Sequence, residues 1–244
     1  MISGIIHKGS GLGNQLFRYI FVRTLALDRG WDFGFEGIEN FKAPWMKLDW
    51  GKPVEGIQQD FIEARVNNAQ GVDIRSYDDR IKNITDNTRI DGEFQGEWYF
   101  QHRKEEIKEW LGVHDNPLPD EVCIINFRGG EYKGVKDLYL TQEYWNKAMK
   151  EMGERVGYKR FMVVTDDVEE AQKFFPFFPV NHDMEMDWRM INSAKYLILS
   201  NSSFAILPAL LGKAEIIIAP KYWARRNTGV WAMSYNKYEN WVYI

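Results

Sequence analysis

The sequence predicts an α/β fold, and three observations indicate it. A strand, a glycine-rich turn and a helix open the chain. In the second half, apolar runs of strand length alternate with helical hydrophobic periodicity. Glycines, serines or acidic residues follow those apolar runs, and such residues are typical of the turns that bound strands. This order predicts parallel sheets with helices on both faces and ligand sites at the carboxyl ends of the strands.

The composition is that of a globular protein without nucleic-acid partners. The 244 residues can form one large domain or two small ones, and 45% are hydrophobic against 27% charged. A net charge of −4 does not suit a phosphate backbone as partner. The single cysteine, Cys123, excludes an intramolecular disulfide and a cysteine zinc cluster. The start has no signal-peptide pattern and the chain has no long apolar run, so we expect a cytoplasmic protein without stable membrane insertion.

The N-terminal elements are a strand over Ile2–His7, a glycine-rich turn over residues 8–15 and a helix that closes at Arg29. The turn does not match the dinucleotide-binding fingerprint G-x-G-x-x-G, because Asn14 stands where the third glycine belongs. It is either a nucleotide-binding turn or a tight turn whose glycines permit close packing.

A linker divides the chain into two predicted domains. Residues 31–89 have poor periodicity, which indicates short strands and long loops, and a helix follows from about Gln101 to Leu111. Residues 114–120 are polar and contain two prolines in three residues. The predicted domains are therefore 1–116 and 117–244.

Strands and helices alternate beyond the linker. The predicted strands end at Phe127, Val164, Leu199 and Ala219. The predicted helices cover about Gln142–Arg155, Asp167–Phe175, Trp188–Ala194 and Phe204–Leu211.

The most informative turn is the one that follows the apolar strand Val122–Phe127. Arg128 lies where this strand leaves the sheet, followed by Gly129 and Gly130. The glycines let the backbone approach a ligand while a planar guanidinium reaches it, which suits a phosphate. The alternative is an ordinary strand-to-loop turn with a surface arginine.

Two further corners combine polar side chains with a helix start. The run Ser200–Ser203 offers hydroxyls and backbone amides to an anion, although a plain N-cap needs only one serine. Asp187 opens a helix and can accept two N–H bonds from a guanine edge or serve as a cap. The run Thr165–Asp167 is interpreted as a cap rather than a metal site. The four histidines share no metal-ligand spacing.

Five blocks along the chain resemble those of the bacterial α-1,2-fucosyltransferases, and they occur in the same order. The blocks are Gly11–Phe17 (similar to G-G-L-G-N-Q-M-F), Asp91–Gln95 with Tyr99–Phe100 (G-Y-F-Q-S-x-x-Y-F), Asn126–Tyr132 (H-x-R-R-G-D-Y), Ser200–Phe204 (S-N-S-S-F) and Ile218–Trp223 (I-A-P-K-x-W). This resemblance implies a GT-B fold with two facing Rossmann-like domains. It also implies GDP-fucose as donor, inversion at the sugar carbon and no required metal.

The resemblance also implies roles for individual residues. Arg128 would neutralise the leaving diphosphate, Asp187 would read the guanine, and Ser202 and Ser203 would hold phosphate oxygens. The positions expected to line the cleft from the N-terminal domain are Gly11, Gly13, Asn14 and Gln15.

The chain departs from the family motif at three positions. The motif histidine is Asn126, its second arginine is Gly129 and its aspartate is Glu131. Loss of the second arginine removes one charge from the phosphate clamp, at a cost of several kcal/mol of transition-state stabilisation. An inverting transfer also needs a base for the acceptor hydroxyl. Glu131 and Asp137 are the nearest acids after Arg128, and both stay open as candidates.

The sequence therefore predicts an inverting glycosyltransferase that moves fucose from GDP-fucose, or another sugar from a related GDP donor, to a hydroxyl of an oligosaccharide. One alternative is a GT-B transferase for another nucleotide sugar. The other is a homologue that binds nucleotide or carbohydrate but has lost transfer activity, which the changes at Gly129 and Glu131 favour.

Overall fold

The computed structural model describes residues 1–64, 66–67, 73–74, 77–113, 116–136, 138–157, 159–225, 231–233 and 238–244. The chain divides into two compact units. The first comprises residues 1–66 and 75–114, and the second comprises residues 67–74 and 115–244. No helix among the described residues is long and apolar enough to cross a membrane.

The first unit contains a four-stranded parallel sheet with one long helix. In chain order its elements are β1 (Ile2–Ile5), α1 (Leu12–Arg29), β2 (Phe33–Glu36), β3 (Gln59–Ile62), β6 (Thr88–Asp91) and α2 (Lys104–Trp110). Between β3 and β6, the short strands β4 (Val66–Asn67) and β5 (Asp73–Ile74) form a separate pair. The main sheet has the order β2-β1-β6-β3, and each neighbouring pair is parallel. Single 3-10 turns lie at Ile38–Asn40, Asp79–Asn83, Glu97–Tyr99 and Gln101–Arg103.

Helix α1 covers the sheet, and almost every residue of its first four turns is therefore buried. It begins after Gly11 and ends where Gly30 takes the left-handed conformation, with φ of 67°. The amide of Gly30 then bonds to the carbonyls of Ala26 and Leu27, which satisfies groups left open by the helix end. Strand β1 ends at Ile5, two residues before the predicted end, so His7 lies just beyond the strand.

The second unit contains a six-stranded parallel sheet with helices between its strands. Its elements are β7 (Val122–Phe127), α3 (Gln142–Val156), β8 (Arg160–Thr165), α4 (Val168–Phe174), β9 (Val180–Asn181), α5 (Met184–Ser193), β10 (Tyr196–Ile198), α6 (Ser203–Leu211), β11 (Ile216–Ala219), β12 (Tyr222–Arg225), β13 (Trp231–Met233) and β14 (Val242–Tyr243). A 3-10 helix covers Gly130–Gly134. The sheet order is β14-β11-β10-β7-β8-β9, whereas β12 and β13 form an antiparallel pair.

Strand β7 is the centre of this sheet. All six of its residues are buried, because α3 and α4 cover one face and α5 and α6 cover the other. Its neighbours β8 and β10 run parallel to it, so the three carboxyl ends reach the same edge of the sheet. The predicted α/β class with two mostly parallel sheets is confirmed.

Candidate functional site

The carboxyl ends of β7, β8 and β10 surround a cavity of about 190 Å³ in the second unit. Its polar lining comes from the end of β7, from the loops after β7, β8, β9 and β10, and from the start of α5. The residues that carry its chemistry are Asn126, Arg128, Asp166, His182, Asp187 and Ser202. Three site residues predicted from widely separated motifs, Arg128, Asp187 and Ser202, therefore line one cavity.

Arg128 is held in this cavity by two carboxylates. Its Nη1 lies 2.8 Å from Asp166 Oδ2, and its Nη2 lies 3.2 Å from Glu131 Oε1. The guanidinium carbon lies 5.4 Å from the ring centre of Tyr132. The Arg128 side chain is 29% exposed, so it is oriented by its partners yet accessible to a ligand. Asp166 also accepts a hydrogen bond of 2.9 Å from the amide of Gly129, which ties the loop after β7 to the loop after β8.

The two glycines after Arg128 permit close approach of these two loops. A Cβ at Gly129 would lie 2.8 Å from Asp167 Cβ, and one at Gly130 would lie 2.2 Å from Asp166 Oδ2. Gly129 has a φ of −97°, so crowding rather than a left-handed backbone requires glycine there. The arginine that the family motif has at this position has no room in this loop arrangement.

Asp187 is a buried carboxylate, only 5% exposed, on the cavity wall. The N-cap of α5 is Asp183, whose Oδ1 accepts from the amide of Met186 at 2.8 Å, so the cap considered for Asp187 is wrong. Asn181 Nδ2 donates to Asp187 Oδ1 at 2.6 Å. Burial is the main effect on this group and raises the pKa of Asp187 to about 7. A buried acid with a raised pKa in a cavity is typical of a functional position.

In the run Ser200–Ser203, some side chains stabilise the fold and one lines the cavity. Ser200 Oγ donates to Asn126 Oδ1 at 2.7 Å, and Asn201 Nδ2 donates to the carbonyl of Leu138 at 3.0 Å. Ser202 is the N-cap residue of α6, but its side chain makes no capping bond and it lines the cavity. Ser203 is the first residue of α6 and is partly buried, outside the cavity wall. Only Ser202 of the two predicted serines thus belongs to the lining.

Two lining residues were missed by the sequence reasoning. Asp166 was assigned to a helix cap together with its neighbours, yet Asp167 alone caps α4, accepting from the amide of Glu170 at 3.1 Å. His182 lies after β9, and its Nδ1 is 2.7 Å from the carbonyl of Thr165, so Nδ1 carries the proton. Their positions after strands that neighbour β7 or β8 were the available signal. Among the described residues, no group of three or more acids, histidines or cysteines could hold a metal ion.

Of the two candidate bases, the structure describes only Glu131. Glu131 is 75% exposed and pairs with Arg128. Asp137 lies outside the described residues.

The predicted residues of the N-terminal half lie together at the turn between β1 and α1, in the first unit. Gly11 is the exposed N-cap residue of α1, and Gly13 is buried in the first turn. Asn14 Oδ1 accepts from Gln95 Nε2 at 2.9 Å. Gln15 is fully buried, donates to the carbonyl of Asn40 and accepts from a backbone amide of the same loop. Gln15 therefore holds a loop of its own unit in place.

Comparison with known proteins supports the sequence motifs. The alpha-1,2-colitosyltransferase of Escherichia coli is 25% identical over an alignment of 268 positions, which covers 91% of this chain and 92% of that protein. The chain is a glycosyltransferase. No family model matches this glycosyltransferase.

Solved glycosyltransferase structures also align with most of this chain. The Escherichia coli heptosyltransferase WaaC with ADP is 13% identical, with a TM-score of 0.44 over 100% of this chain and 92% of that one. The fucosyltransferase NodZ from Bradyrhizobium is 13% identical, with a TM-score of 0.41 over 86% of this chain and 92% of that one.

Proposed function

We propose that this glycosyltransferase moves fucose from GDP-fucose to a hydroxyl of an oligosaccharide, with inversion at the sugar carbon. The observation that carries the proposal is the gathering of Arg128, Asp187 and Ser202 around one cavity at the carboxyl edge of the second sheet. A phosphate-binding cation, a base-reading carboxylate and a helix start are the three parts that a nucleoside-diphosphate sugar requires.

The guanine assignment depends on Asp187. Above its pKa of about 7, Asp187 is an ionised carboxylate with about four acceptor positions and no donor, and Asn181 uses one of them. The edge of guanine presents a ring N–H and an amino group side by side, which two carboxylate oxygens can accept together. Adenine presents an acceptor beside its amino group and would leave a buried charge poorly paired, which costs binding free energy.

The diphosphate assignment depends on Arg128 and the start of α6. As the bond between the sugar and phosphate breaks, negative charge accumulates on the leaving diphosphate. Arg128 can donate to two phosphate oxygens at once, and the unpaired amides at the start of α6 favour an anion. The Ser202 hydroxyl, which makes no capping bond, is available to a phosphate oxygen. We therefore propose that the transfer needs no metal, and we expect that EDTA leaves turnover unchanged.

The deciding experiment compares nucleotides first and transfer second. We expect that GDP raises the melting temperature, whereas UDP, ADP and CMP at equal concentration do not. GDP release from GDP-fucose with a panel of galactose-terminated oligosaccharides then measures transfer. A shift with UDP alone would overturn the guanine assignment. GDP binding without release for any acceptor would identify a binding protein that has lost transfer activity.

One observation favours a second donor sugar. The relative that covers most of this chain is named as an alpha-1,2-colitosyltransferase. Asp187, Arg128 and Ser202 are assigned to the nucleotide and the phosphates, so they do not select the sugar. A direct competition between GDP-fucose and GDP-linked colitose, with the products separated by mass, distinguishes the two donors.

A further inference from the structure

Another cavity, of about 170 Å³, lies within the first unit. Its walls are the second half of α1 and the 3-10 turns at Asp79–Asn83, Glu97–Tyr99 and Gln101–Arg103. Helix α1 connects two parallel strands, β1 and β2, so its second half runs towards the amino ends of these strands. The cavity is therefore away from the carboxyl edge of this sheet, and none of the assignments above uses it.

Two exposed aromatic rings form the apolar wall of this cavity. Tyr77 is 38% exposed and Trp98 is 37% exposed. Both contact the buried ring of Tyr99, whose centre lies 5.2 Å from that of Tyr77 and 6.1 Å from that of Trp98. A Cβ at Gly96 would overlap the indole of Trp98, so the glycine allows the indole to lie against the backbone. Neighbouring exposed rings held in this way are typical of a binding surface.

Asp28 and His102 form the polar wall. His102 Nε2 lies 2.9 Å from Asp28 Oδ2, and Arg103 Nε donates to Asp28 Oδ1 at 2.8 Å. An ionised carboxylate only accepts hydrogen bonds, so the proton of a neutral His102 resides on Nε2 and the lone pair on Nδ1. Each Asp28 oxygen also keeps a lone pair for a further donor. The Asp28 side chain is 33% exposed and that of His102 is 50% exposed, so the hydroxyl groups of a ligand can reach both.

The cations beside this cavity are already bonded within the protein. Lys82 Nζ lies 2.6 Å from Asp79 Oδ1, and Arg29 Nη2 donates to the carbonyl of Lys82 at 3.0 Å. Lys82 Nζ also lies 5.8 Å from the ring centre of Tyr77, which leaves the indole of Trp98 as the better platform for a ligand. Recognition therefore depends on an aromatic face and on hydrogen-bond acceptors, which suit a neutral ligand that carries hydroxyl groups.

We propose that this cavity is a second carbohydrate-binding site, which takes one neutral sugar ring of a glycan. The apolar face of the ring stacks on Trp98, and its hydroxyl groups donate to Asp28 and His102. A β-galactose ring presents several C–H groups on one face, and their slight positive charge is attracted by the negative face of an indole. Hydrogen bonds from hydroxyl groups to a carboxylate are charge-assisted and give the site its orientation. The site needs neither the donor nor the acceptor proposed above.

The test observes Trp98 directly in the full chain. Fluorine NMR of protein labelled with 5-fluorotryptophan resolves the ten tryptophans, and Trp98→Phe identifies the resonance of Trp98. We expect methyl β-galactoside to shift this resonance saturably, because the sugar ring covers the indole. Inorganic phosphate at equal concentration should leave it unchanged.

Two variants, each read out through Trp98, assign the binding to this cavity. We expect Asp28→Asn to weaken galactoside binding about tenfold or more, the scale of one hydrogen bond to a charged group. Tyr77→Leu keeps the apolar cover but loses the second ring, so it should weaken binding as well. The control is Phe177→Leu, which replaces a ring that is 93% exposed in the second unit and should bind like the wild type. Melting temperatures establish that each variant is folded.

Three results would overturn the site. They are a Trp98 resonance that does not respond to the galactoside, a saturable shift with phosphate instead, and an unchanged galactoside affinity in the folded variants Asp28→Asn and Tyr77→Leu. If Asp28→Asn does not fold, Tyr77→Leu decides the question alone. Because Trp98 reports binding and not turnover, a protein that fails to transfer fucose would refute the proposed function and leave this site intact.

Discussion

At the residue scale, Arg128 is the side chain on which the donor site depends most. Its two carboxylate partners hold the guanidinium in place before a ligand arrives. An interaction that strengthens as charge develops on the leaving group appears mainly in kcat. We expect Arg128→Ala to lose about 100-fold or more in kcat/KM, the scale of one removed oxyanion donor. Arg128→Lys keeps the charge but loses the planar fork, so it should be impaired as well.

The control for Arg128 is Arg155→Ala, which removes a surface ion pair with Glu151 on α3 of the same unit. Steady-state kinetics on folded variants provide the measurement. A near-normal kcat/KM in Arg128→Ala would show that this arginine takes no part in transfer and is only a surface residue at a strand end.

Asp187 should make the stability depend on pH. Its folded-state pKa of about 7 exceeds the ordinary carboxyl value of 3.8, so the native state holds the proton more tightly between these limits. The free energy of unfolding should therefore fall as the pH rises through this window and level off above it. The Asp187→Asn variant cannot ionise at this position, so it should be more stable than the wild type at pH 8. The full shift of the Asp187 pKa corresponds to at most about 4 kcal/mol of unfolding free energy, and we expect about 2 kcal/mol. Near pH 4 the difference should vanish.

Denaturant titrations of both proteins at pH 4 and pH 8 test this dependence. Asp120→Asn, which changes an exposed carboxyl of the same unit, should show no such difference. GDP affinity should fall in Asp187→Asn despite its higher stability. Equal stability of Asp187→Asn and wild type at both pH values would contradict the buried, raised-pKa carboxyl.

At the element scale, the starts of α5 and α6 differ in their capping. Asp183 caps α5 with a side-chain hydrogen bond, whereas Ser202 occupies the same position of α6 without one. Removal of a working cap costs about 1 kcal/mol. We expect Asp183→Ala to lose stability on that scale and to keep GDP affinity, and Ser202→Ala to do the reverse. Thermal unfolding and GDP titration of both variants provide the measurement, and a stability loss in Ser202→Ala alone would show an ordinary cap.

The approach of the loops after β7 and β8 is the second element-scale feature. Gly129→Ala places a Cβ 2.8 Å from Asp167 Cβ, so we expect a loss of stability, about 1–3 kcal/mol as for other overpacked sites. Gly134→Ala, at the end of the 3-10 helix that follows Gly129, meets nothing within 4 Å and is the control. Gly129→Arg, which restores the family motif, should lower activity rather than raise it. An active and stable Gly129→Arg enzyme would show that the loop can move away.

At the scale of the whole molecule, the cavity proposed as the donor site is lined by residues of the second unit. We expect GDP to slow amide hydrogen exchange in peptides covering residues 126–131, 181–187 and 200–205. These segments come from three separate parts of the sequence and meet only through the order of the sheet. Mass spectrometry of the exchanging protein with GDP and with CMP provides the measurement. Protection confined to the first unit would place the nucleotide elsewhere.

Much of the architecture was predictable because it depends on local pattern. The periodicities of α3 and of the buried strand β7 are strong, and the structure has both almost where they were predicted. Helix α5 begins four residues before its predicted start, because the Asp183 cap begins the helix among exposed methionines that carry no core pattern. The short strands of residues 31–89 had too few residues for a reliable period.

The sequence by itself determined the α/β class, the strand-end position of Arg128 and the family resemblance, since these depend on residue order and spacing. Only the tertiary structure decided which polar groups meet. Asp166 beside Arg128, Asn181 beside Asp187, and His7 beside Asp91 are pairs set by sheet order and loop packing. Gln15 was equally beyond the sequence, because its burial and its backbone partners come from a loop 25 residues away. Hydrogen bonds and desolvation act over a few ångströms in space, and sequence spacing does not report that distance.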